Sequence, residues 1–328
     1  MFPLTIIICT VIFYLQCIVL ASDTHKRGPR PLVLWHGLGD SHSSPGMVEF
    51  AGLIKEVHPG IFIHSVYIDQ EEDKDRRAGF YGNVNDQVAL VAGQLASIME
   101  LEGGFDAIGF SQGGQFLRAY VERYNEPKVN NLITFGSQHM GISDIPICGR
   151  YDLLCQIARR AARGSVYGEW AQNNLVTAQY FRNPDNYATY LEANKFLTSI
   201  NNEKEGERNG TYAKNLASLN KIVLVLFTED KTVVPKESSW FGSEAIPGDD
   251  EVGMQQRIGQ RPFLLNIQRR DDREIIPMRL QRLYTEDWIG LRTLDTRGDV
   301  ILETCEGEHM QVGDCWKPLV LKFVGGKA

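Results

Sequence analysis

The chain has 328 residues, of which 43% are hydrophobic and 23% are charged, and its formal net charge is −7. This composition is typical of a folded globular protein, and the length allows one large α/β domain with its own core. The acidic balance and the lack of a long basic block argue against nucleic acid as a partner.

The chain begins with an apolar stretch, residues 4–21, that ends in small or apolar residues where a signal peptidase would cut. We interpret residues 1–21 as a cleaved signal peptide. The first three residues carry no Lys or Arg, which leaves an uncleaved signal anchor as the alternative. No second long apolar run follows, so we expect no transmembrane segment in the mature form. The sequon at Asn209 agrees with the secretory pathway and predicts glycosylation there.

Apolar β-type runs alternate with helical patterns through the rest of the chain. The β-type runs lie at residues 31–35, 61–68, 105–110, 132–135, 221–227 and 299–302. Helical spacing of apolar residues occurs at residues 85–99, 115–124, 151–163, 167–181 and 187–200. This order predicts an α/β domain over residues 22–328, with a mostly parallel central sheet and helices on both faces.

Two segments interrupt this alternation. Residues 141–219 contain no β-type run, and we interpret them as a helical cap insertion whose aromatic side chains line an apolar groove. The candidates, each of which alone is more typical of core packing, are Tyr167, Trp170, Phe181, Tyr187 and Phe196. Residues 242–277 are rich in Gly, Asp, Gln and Arg and predict a long exposed excursion. Within them, the alternating charges of residues 269–273 predict a solvated loop.

The most informative motif is GFSQG at residues 109–113, between a β-type run and a helical stretch. A serine on a sharp strand-to-helix turn, with glycine two positions away on either side, is typical of a nucleophile elbow. The strained turn leaves no room for side chains at those two positions. We therefore predict that Ser111 is the nucleophile of an acyl-transfer reaction.

Such a serine is followed along the chain by an acid and then by a histidine. His139 and His309 are the histidines that follow Ser111. His139 precedes every plausible acid, so we predict His309 as the general base and interpret His139 as a loop residue near the elbow.

The acid should follow the core strand that precedes the base. Residues 221–227 are the strongest β-type run in the second half of the chain and lead directly into Asp230, the predicted acid. Glu229 is the alternative. We interpret Asp295 and Asp299 as solvated turn residues.

An acyl-transfer site also needs two backbone N–H groups that hold the developing oxyanion. The N–H of Gln112, directly after the nucleophile, is the first expected donor. The sequence HGLGD at residues 36–40 follows the first β-type run, and its His-Gly pair lets the backbone approach the serine, so Leu38 is the second expected donor. We interpret His36 as a structural part of this loop.

Six cysteines become four if residues 1–21 are removed. An even number in a secretory chain favours disulfides, and the close pairs Cys148/Cys155 and Cys305/Cys315 predict two small loops, although three pairings are possible. Neither spacing is that of a zinc site, so we expect no metal.

With these residues in place, the chain resembles the lysosomal palmitoyl-protein thioesterases over about residues 30–325. Long ordered blocks carry the resemblance, which makes it more specific than the elbow motif alone. The blocks are residues 34–40 (LWHGLGD), 83–88 (NVNDQV), 109–119 (GFSQGGQFLRA), 209–212 (NGTY), 239–242 (SWFG), 283–287 (LYTED) and 306–311 (EGEHMQ), with 141–155 up to its two cysteines.

The resemblance implies an α/β-hydrolase fold, no cofactor, and removal of long-chain fatty acyl groups from cysteine thioesters of S-palmitoylated proteins or peptides in lysosomal protein turnover. The family's catalytic residues fall on Ser111, Asp230 and His309, its oxyanion donors on Leu38 and Gln112, and its cap disulfide on Cys148 and Cys155. Two features depart from the family pattern. The excursion at 242–277 is longer than expected, and the Cys305/Cys315 pair is not associated with the family's animal members.

The implied mechanism is that of a serine hydrolase with an acyl-enzyme intermediate, in which the acyl chain lies in the cap. A secreted lipase or carboxylesterase acting on oxygen esters is the alternative enzyme, because it would share every catalytic residue. A binding protein with a decayed site is the alternative outside enzymes, and the intact Ser111, Asp230 and His309 argue against it.

Overall fold

The computed structural model describes residues 28–144, 165–247, 269–270 and 273–326. The expected signal peptide, the expected disulfide Cys148–Cys155, the expected helix at 151–163 and most of the excursion lie outside the described residues. In the part of the chain that is described, no helix is long and apolar enough to cross a membrane.

A parallel sheet forms the centre of the molecule, with the strand order β2-β1-β3-β4-β5-β9. The strands, in chain order, are β1 Leu32–Trp35, β2 Ile63–Ser65, β3 Phe105–Phe110, β4 Val129–Phe135, β5 Lys221–Phe227, β6 Ser243–Glu244, β7 Arg269–Arg270, β8 Arg273–Ile276 and β9 Val300–Cys305. All residues of β1 and β3 are buried, which explains their continuous apolar sequence.

Helices cover both faces of this sheet. In chain order they are α1 Pro45–Val57, α2 Glu72–Ala78, α3 Val84–Ala96, α4 Gln112–Arg123, α5 Glu169–Asn174, α6 Tyr187–Ala193, α7 Leu197–Ile200, α8 Gly210–Leu216, α9 Arg282–Thr285, α10 Leu291–Thr296 and α11 Trp316–Phe323. Val33 and Trp35 pack against α3 and α4, whereas Leu32 and Leu34 pack towards α1 and α11, as the period of two in a strand requires. The predicted α/β-hydrolase fold is confirmed.

The described part of the cap consists of shorter helices than the sequence predicts. The predicted helix at 167–181 divides into α5 and a 3₁₀ segment, because Leu175 is extended and forms a β-bridge with Tyr81. The predicted helix at 187–200 divides at Asn194, which is also extended and whose Oδ1 accepts a hydrogen bond from the N–H of Thr198. Asparagine competes for backbone groups in this way, and it therefore ends a helix that apolar spacing alone would continue.

The two ends of the excursion form a small antiparallel sheet, in the order β6-β8-β7. The prediction of a solvated loop at 269–273 is therefore wrong for residues 269, 270 and 273, which lie in strands. Ile275 is buried, and Arg273 lies 3.5 Å from the carboxylate of Glu244 on the neighbouring strand. Strands this short have no periodicity that a sequence can reveal.

A fully buried ion pair joins α4 to the cap. Arg118 donates to the carboxylate of Glu122 at 2.9 Å, to the carbonyl oxygen of His139 at 3.0 Å and to the side chain of Asn201 at 2.9 Å. Neither charged side chain is exposed. Burial raises the pKa of Glu122 to about 7, although Arg118 partly opposes this shift.

This carboxyl predicts a dependence of stability on pH. A folded-state pKa above the unfolded value stabilises the fold fully at low pH, and the contribution is lost as pH rises through 7. For Glu122 the loss is on the order of 3 kcal/mol. Between pH 4.5 and pH 8, we expect the unfolding temperature of the wild type to fall more than that of Glu122→Gln, measured by thermal unfolding. Parallel losses in the two proteins would assign the dependence to other groups.

Candidate active site

The nucleophile elbow has the backbone conformation that its sequence predicts. β3 ends at Phe110, α4 begins at Gln112, and Ser111 between them has a φ of 51°. A side chain at Gly109 would overlap the backbone of α4, and one at Gly113 would overlap the backbone of β1 and of the residue after it. Both glycines are therefore required by close contact between backbones.

Ser111, His309 and Asp230 lie in a hydrogen-bonded chain. The Nε2 atom of His309 is 3.1 Å from the Oγ atom of Ser111, and its Nδ1 atom is 2.6 Å from Oδ2 of Asp230. Because a carboxylate only accepts, Nδ1 carries the proton and Nε2 is free to accept the serine proton. The other oxygen of Asp230 accepts from the N–H groups of Thr232 and Val233, at 2.8 and 3.0 Å. The acid is thus held rigidly in the orientation that a proton-accepting histidine needs.

The alternative acids and base lie elsewhere. Glu229 is exposed. His139 is buried, stacks on Phe241 and has its Nε2 atom 3.0 Å from the hydroxyl of Thr134. Burial holds the pKa of His139 well below its usual range, so this side chain stays neutral.

The interpretation of Asp295 and Asp299 as solvated turn residues is wrong. Asp295 lies in α10, where it accepts hydrogen bonds from Arg279 at 2.8 and 3.0 Å. Asp299 is buried and pairs with Lys221 and Arg297. Arg279 and Lys221 are distant in sequence from their acidic partners, so sequence spacing did not reveal these two ion pairs.

The HGLGD loop, residues 36–40, lies against the elbow. A Cβ atom on Gly37 would be 3.3 Å from Cβ of Ser111. His36 is buried and contacts the carboxylate of Asp75 at 3.2 Å. It is therefore a structural residue of the loop in this geometry. Gln112 opens α4, and N–H groups in the first turn of a helix have no intrahelical acceptor.

A cavity of about 560 Å³ opens beside Ser111. It is lined by Gly37, Leu38, Gly39, Asp40, Gly46, Met47, Glu49, Phe50, Leu53, Phe110, Ser111, Gln138, Ile142, Thr177, Tyr180, Thr232, Val233, His309, Met310, Val312, Gly313 and Trp316. Most of the apolar wall comes from α1 and from residues 310–316. The cap contributes only Ile142, Thr177 and Tyr180 among the described residues.

The five cap aromatics predicted to line a groove do not line this cavity. Phe181 and Phe196 are buried in the core, Trp170 is exposed, and Tyr187 faces a separate cavity. Tyr167 also packs against the core. Helix packing therefore takes up these rings, and the expectation that the cap holds the acyl chain stays a prediction. Apolar residues of α1 at positions 47, 50 and 53, three apart on one helical face, are the sequence signal that was missed.

A disulfide between Cys305 and Cys315 closes the loop that carries His309. The two Cα atoms are 5.7 Å apart, with Cys305 at the end of β9 and Cys315 just before α11. The loop between them also supplies Met310 and Val312 to the cavity. The bond therefore holds His309 and part of the apolar wall together.

Removal of this disulfide is expected to lower activity. In the double variant Cys305→Ser/Cys315→Ser the loop gains freedom, so His309 spends less time within reach of Ser111. We expect a several-fold fall in kcat/KM for an acyl thioester and a loss of roughly 2–3 kcal/mol of stability.

Reductant added to the wild type should reproduce the fall and should have little further effect on the double variant. Full activity of the double variant would show that the loop is rigid without its cross-link.

Asn209 precedes α8 and is exposed. Its Oδ1 atom accepts a hydrogen bond from the N–H of Thr211 at 2.9 Å, which leaves the side-chain nitrogen available. Glycosylation at this position remains a prediction.

Similarity to known proteins decides the family. The sequence model described as palmitoyl protein thioesterase matches residues 31–309. The chain belongs to this family. It is 36% identical to palmitoyl-protein thioesterase 1 of Caenorhabditis elegans over 302 residues, or 91% of this chain and 93% of that protein.

Two further relatives extend this similarity. Palmitoyl-protein thioesterase 3 of Dictyostelium discoideum is 31% identical over 296 residues, which cover 90% of each chain. The lysosomal thioesterase PPT2 homolog of Drosophila melanogaster is 26% identical over 282 residues, or 83% of each chain. Membership of the thioesterase family makes this protein a hydrolase that acts on thioesters.

Proposed function

We propose that the protein hydrolyses long-chain fatty acyl thioesters, such as palmitoyl groups on cysteines of proteins or peptides, with Ser111, His309 and Asp230 as its catalytic residues. The observation that carries this proposal is the hydrogen-bonded chain from Ser111 to Asp230 beside a large apolar cavity. The names of the relatives support both the palmitoyl substrate and a lysosomal location.

In the first half of the proposed reaction, His309 takes the proton of Ser111 while the serine oxygen attacks the thioester carbonyl. Asp230 stabilises the resulting imidazolium. The backbone N–H groups of Leu38 and Gln112 hold the oxyanion of the tetrahedral intermediate. Collapse of this intermediate breaks the carbon–sulfur bond and leaves the acyl group on the serine, while His309 gives its proton to the departing thiolate and becomes neutral again.

The leaving group suits this set of residues. A cysteine thiol has a pKa near 8.5, so its thiolate leaves with little help from an acid, unlike the amine released in peptide cleavage. In the second half of the reaction, water gives a proton to His309 and attacks the acyl-enzyme. The fatty acid is then released and Ser111 regains its proton.

Substitution of the nucleophile tests this proposal directly. We expect Ser111→Ala to lower kcat for a palmitoyl thioester by roughly 10³-fold or more, since removal of a triad member abolishes the acyl-enzyme route. Thermal unfolding should be nearly unchanged, because the side chain is small.

A matched palmitoyl oxygen ester, assayed with the wild type, should be the poorer substrate. A marked preference for the oxygen ester would favour a lipase or carboxylesterase instead. Activity of Ser111→Ala above about a tenth of wild type would rule out the proposed nucleophile.

The cavity beside Ser111 predicts a dependence on acyl-chain length. Leu53 lies in α1 and lines the cavity, so Leu53→Trp reduces the space for a long chain. We expect kcat/KM to fall at least about tenfold for palmitoyl thioester and less than about threefold for butyryl thioester. Val48→Trp, on the same helix at a side chain that is 59% exposed, is the matched control. Equal losses on both substrates would mean that the acyl chain lies elsewhere.

A further inference from the structure

A carboxylate behind the HGLGD loop holds this loop from both ends. Asp75 lies in α2 and is fully buried. Its Oδ2 atom is 2.9 Å from Nδ1 and 2.9 Å from the backbone nitrogen of His42, and 3.2 Å from Nε2 of His36. Its Oδ1 atom accepts a hydrogen bond from the N–H of Ile68 at 2.7 Å. One side chain thus links both sides of the loop to the segment after β2.

The contacts of Asp75 with His42 and with the N–H of Ile68 suit a carboxylate better than an amide. A carboxylate accepts at both oxygens and donates at neither, whereas an amide would turn its NH₂ group towards donors. Burial alone would raise the pKa of Asp75, but the contacts with His36, His42 and Ile68 outweigh burial and hold this pKa well below its usual range. Asp75 is therefore ionised at neutral and mildly acidic pH.

The two histidines differ in how they meet this anion. His42 makes aligned hydrogen bonds from its ring and its backbone. The Nε2 atom of His36 lies 3.2 Å from Oδ2 of Asp75 but is not aligned for a hydrogen bond, so this is a close contact only. The Nδ1–H of His36 donates to the carbonyl oxygen of Gly37 at 3.0 Å, which ties the imidazole to the backbone of the loop.

This loop carries Leu38, whose N–H is the second predicted oxyanion donor and which lines the cavity together with Ser111. A Cβ atom on Gly37 would lie 3.3 Å from Cβ of Ser111, so the loop has little space in which to move towards the elbow. A movement of His36 or His42 away from α2 displaces the Leu38 N–H from the position of the oxyanion. The orientation of the donor therefore depends on the anchoring of the two histidines.

The end of α2 also supports the other predicted donor. The side-chain amide of Gln112 donates from Nε2 to the carbonyl oxygen of Gly79 at 3.3 Å. A Cβ atom on Gly79 would be 3.4 Å from the backbone nitrogen of Gly39, in the HGLGD loop. Asp75 and Gly79 together place α2 against both elements that carry the predicted oxyanion donors.

We propose that Asp75 is a positioning residue, which fixes the Leu38 N–H at the oxyanion by holding His36 and His42. The proposal rests on the proposed function, because it presupposes a tetrahedral intermediate on Ser111. Asp75 does not touch the cavity that holds the acyl chain. Its loss should therefore affect the transition state much more than the ground state.

The variant Asp75→Asn tests this proposal, since it keeps the size of the side chain and removes the charge and one acceptor. We expect kcat to fall by about 10- to 100-fold, because complete loss of an oxyanion donor costs about 10²–10³ in kcat and a displaced donor retains part of its effect. KM for palmitoyl thioester should stay within about threefold of wild type. Asp73→Asn, on the same helix with a side chain that is 95% exposed, is the matched control and should keep full activity.

Inhibitor binding separates positioning from a general structural defect. A trifluoromethyl ketone with a long acyl chain forms a tetrahedral oxyanion adduct with a serine, whereas the matching unreactive thioether only fills the cavity. Asp75→Asn should weaken binding of the ketone by the same factor by which it lowers kcat/KM. It should weaken binding of the thioether by less than about threefold. Equal weakening of the two ligands would overturn the proposal, because the defect would then include the cavity.

A second variant covers the case in which Asp75→Asn does not fold. His42→Gln removes the ring contact and keeps the backbone contact, so we expect a smaller fall in kcat with KM unchanged. If Ser111→Ala is inactive while folded Asp75→Asn or His42→Gln retains full kcat, positioning by Asp75 is wrong and the proposed function stands. If Ser111→Ala is active, the proposed function itself is wrong.

Discussion

The close contact between the elbow helix and the strands beside it is the constraint on which the rest of the site depends. At Gly109, Gly113 and Gly114 there is no space for a Cβ atom, because the backbone of α4 lies directly against β1, β3 and β4. This contact forces Ser111 into a left-handed conformation and turns its hydroxyl out of the sheet. Packing of the whole domain thus holds a conformation that a serine rarely adopts.

The parallel sheet brings the remaining groups to the same place. β1, β3, β5 and β9 all end at one edge, and each is followed by a segment that contributes to the site. These segments are the HGLGD loop, the elbow, the turn with Asp230 and the loop with His309. Residues almost two hundred positions apart therefore meet because parallel strands place their carboxyl ends together. The parallel order of the strands therefore explains why residues far apart in sequence share one site.

The strands of the parallel sheet and the residues Ser111, Asp230 and His309 could be predicted from sequence because each has a local signal. β3 and β5 are continuous apolar runs, and the elbow has its pair of glycines. The apolar wall could not be predicted in the same way. It combines α1 with residues 310–316, and only the folded sheet brings these segments together. Asp75 has no local motif either, since its partners at positions 36, 42 and 68 are identified only by contact.

The disulfide-closed loop after β9 carries both His309 and the side chains of Met310 and Val312. The cross-link therefore bears both on the position of His309 and on the width of the cavity. Selectivity and turnover are consequently not independent properties of this enzyme. A substitution at 310 or 312 changes the cavity directly beside His309, so we expect a change of specificity there to alter the rate as well. Phe50 on α1 packs edge-on against Trp316, directly after Cys315, so the opposite wall of the cavity is linked to the same loop.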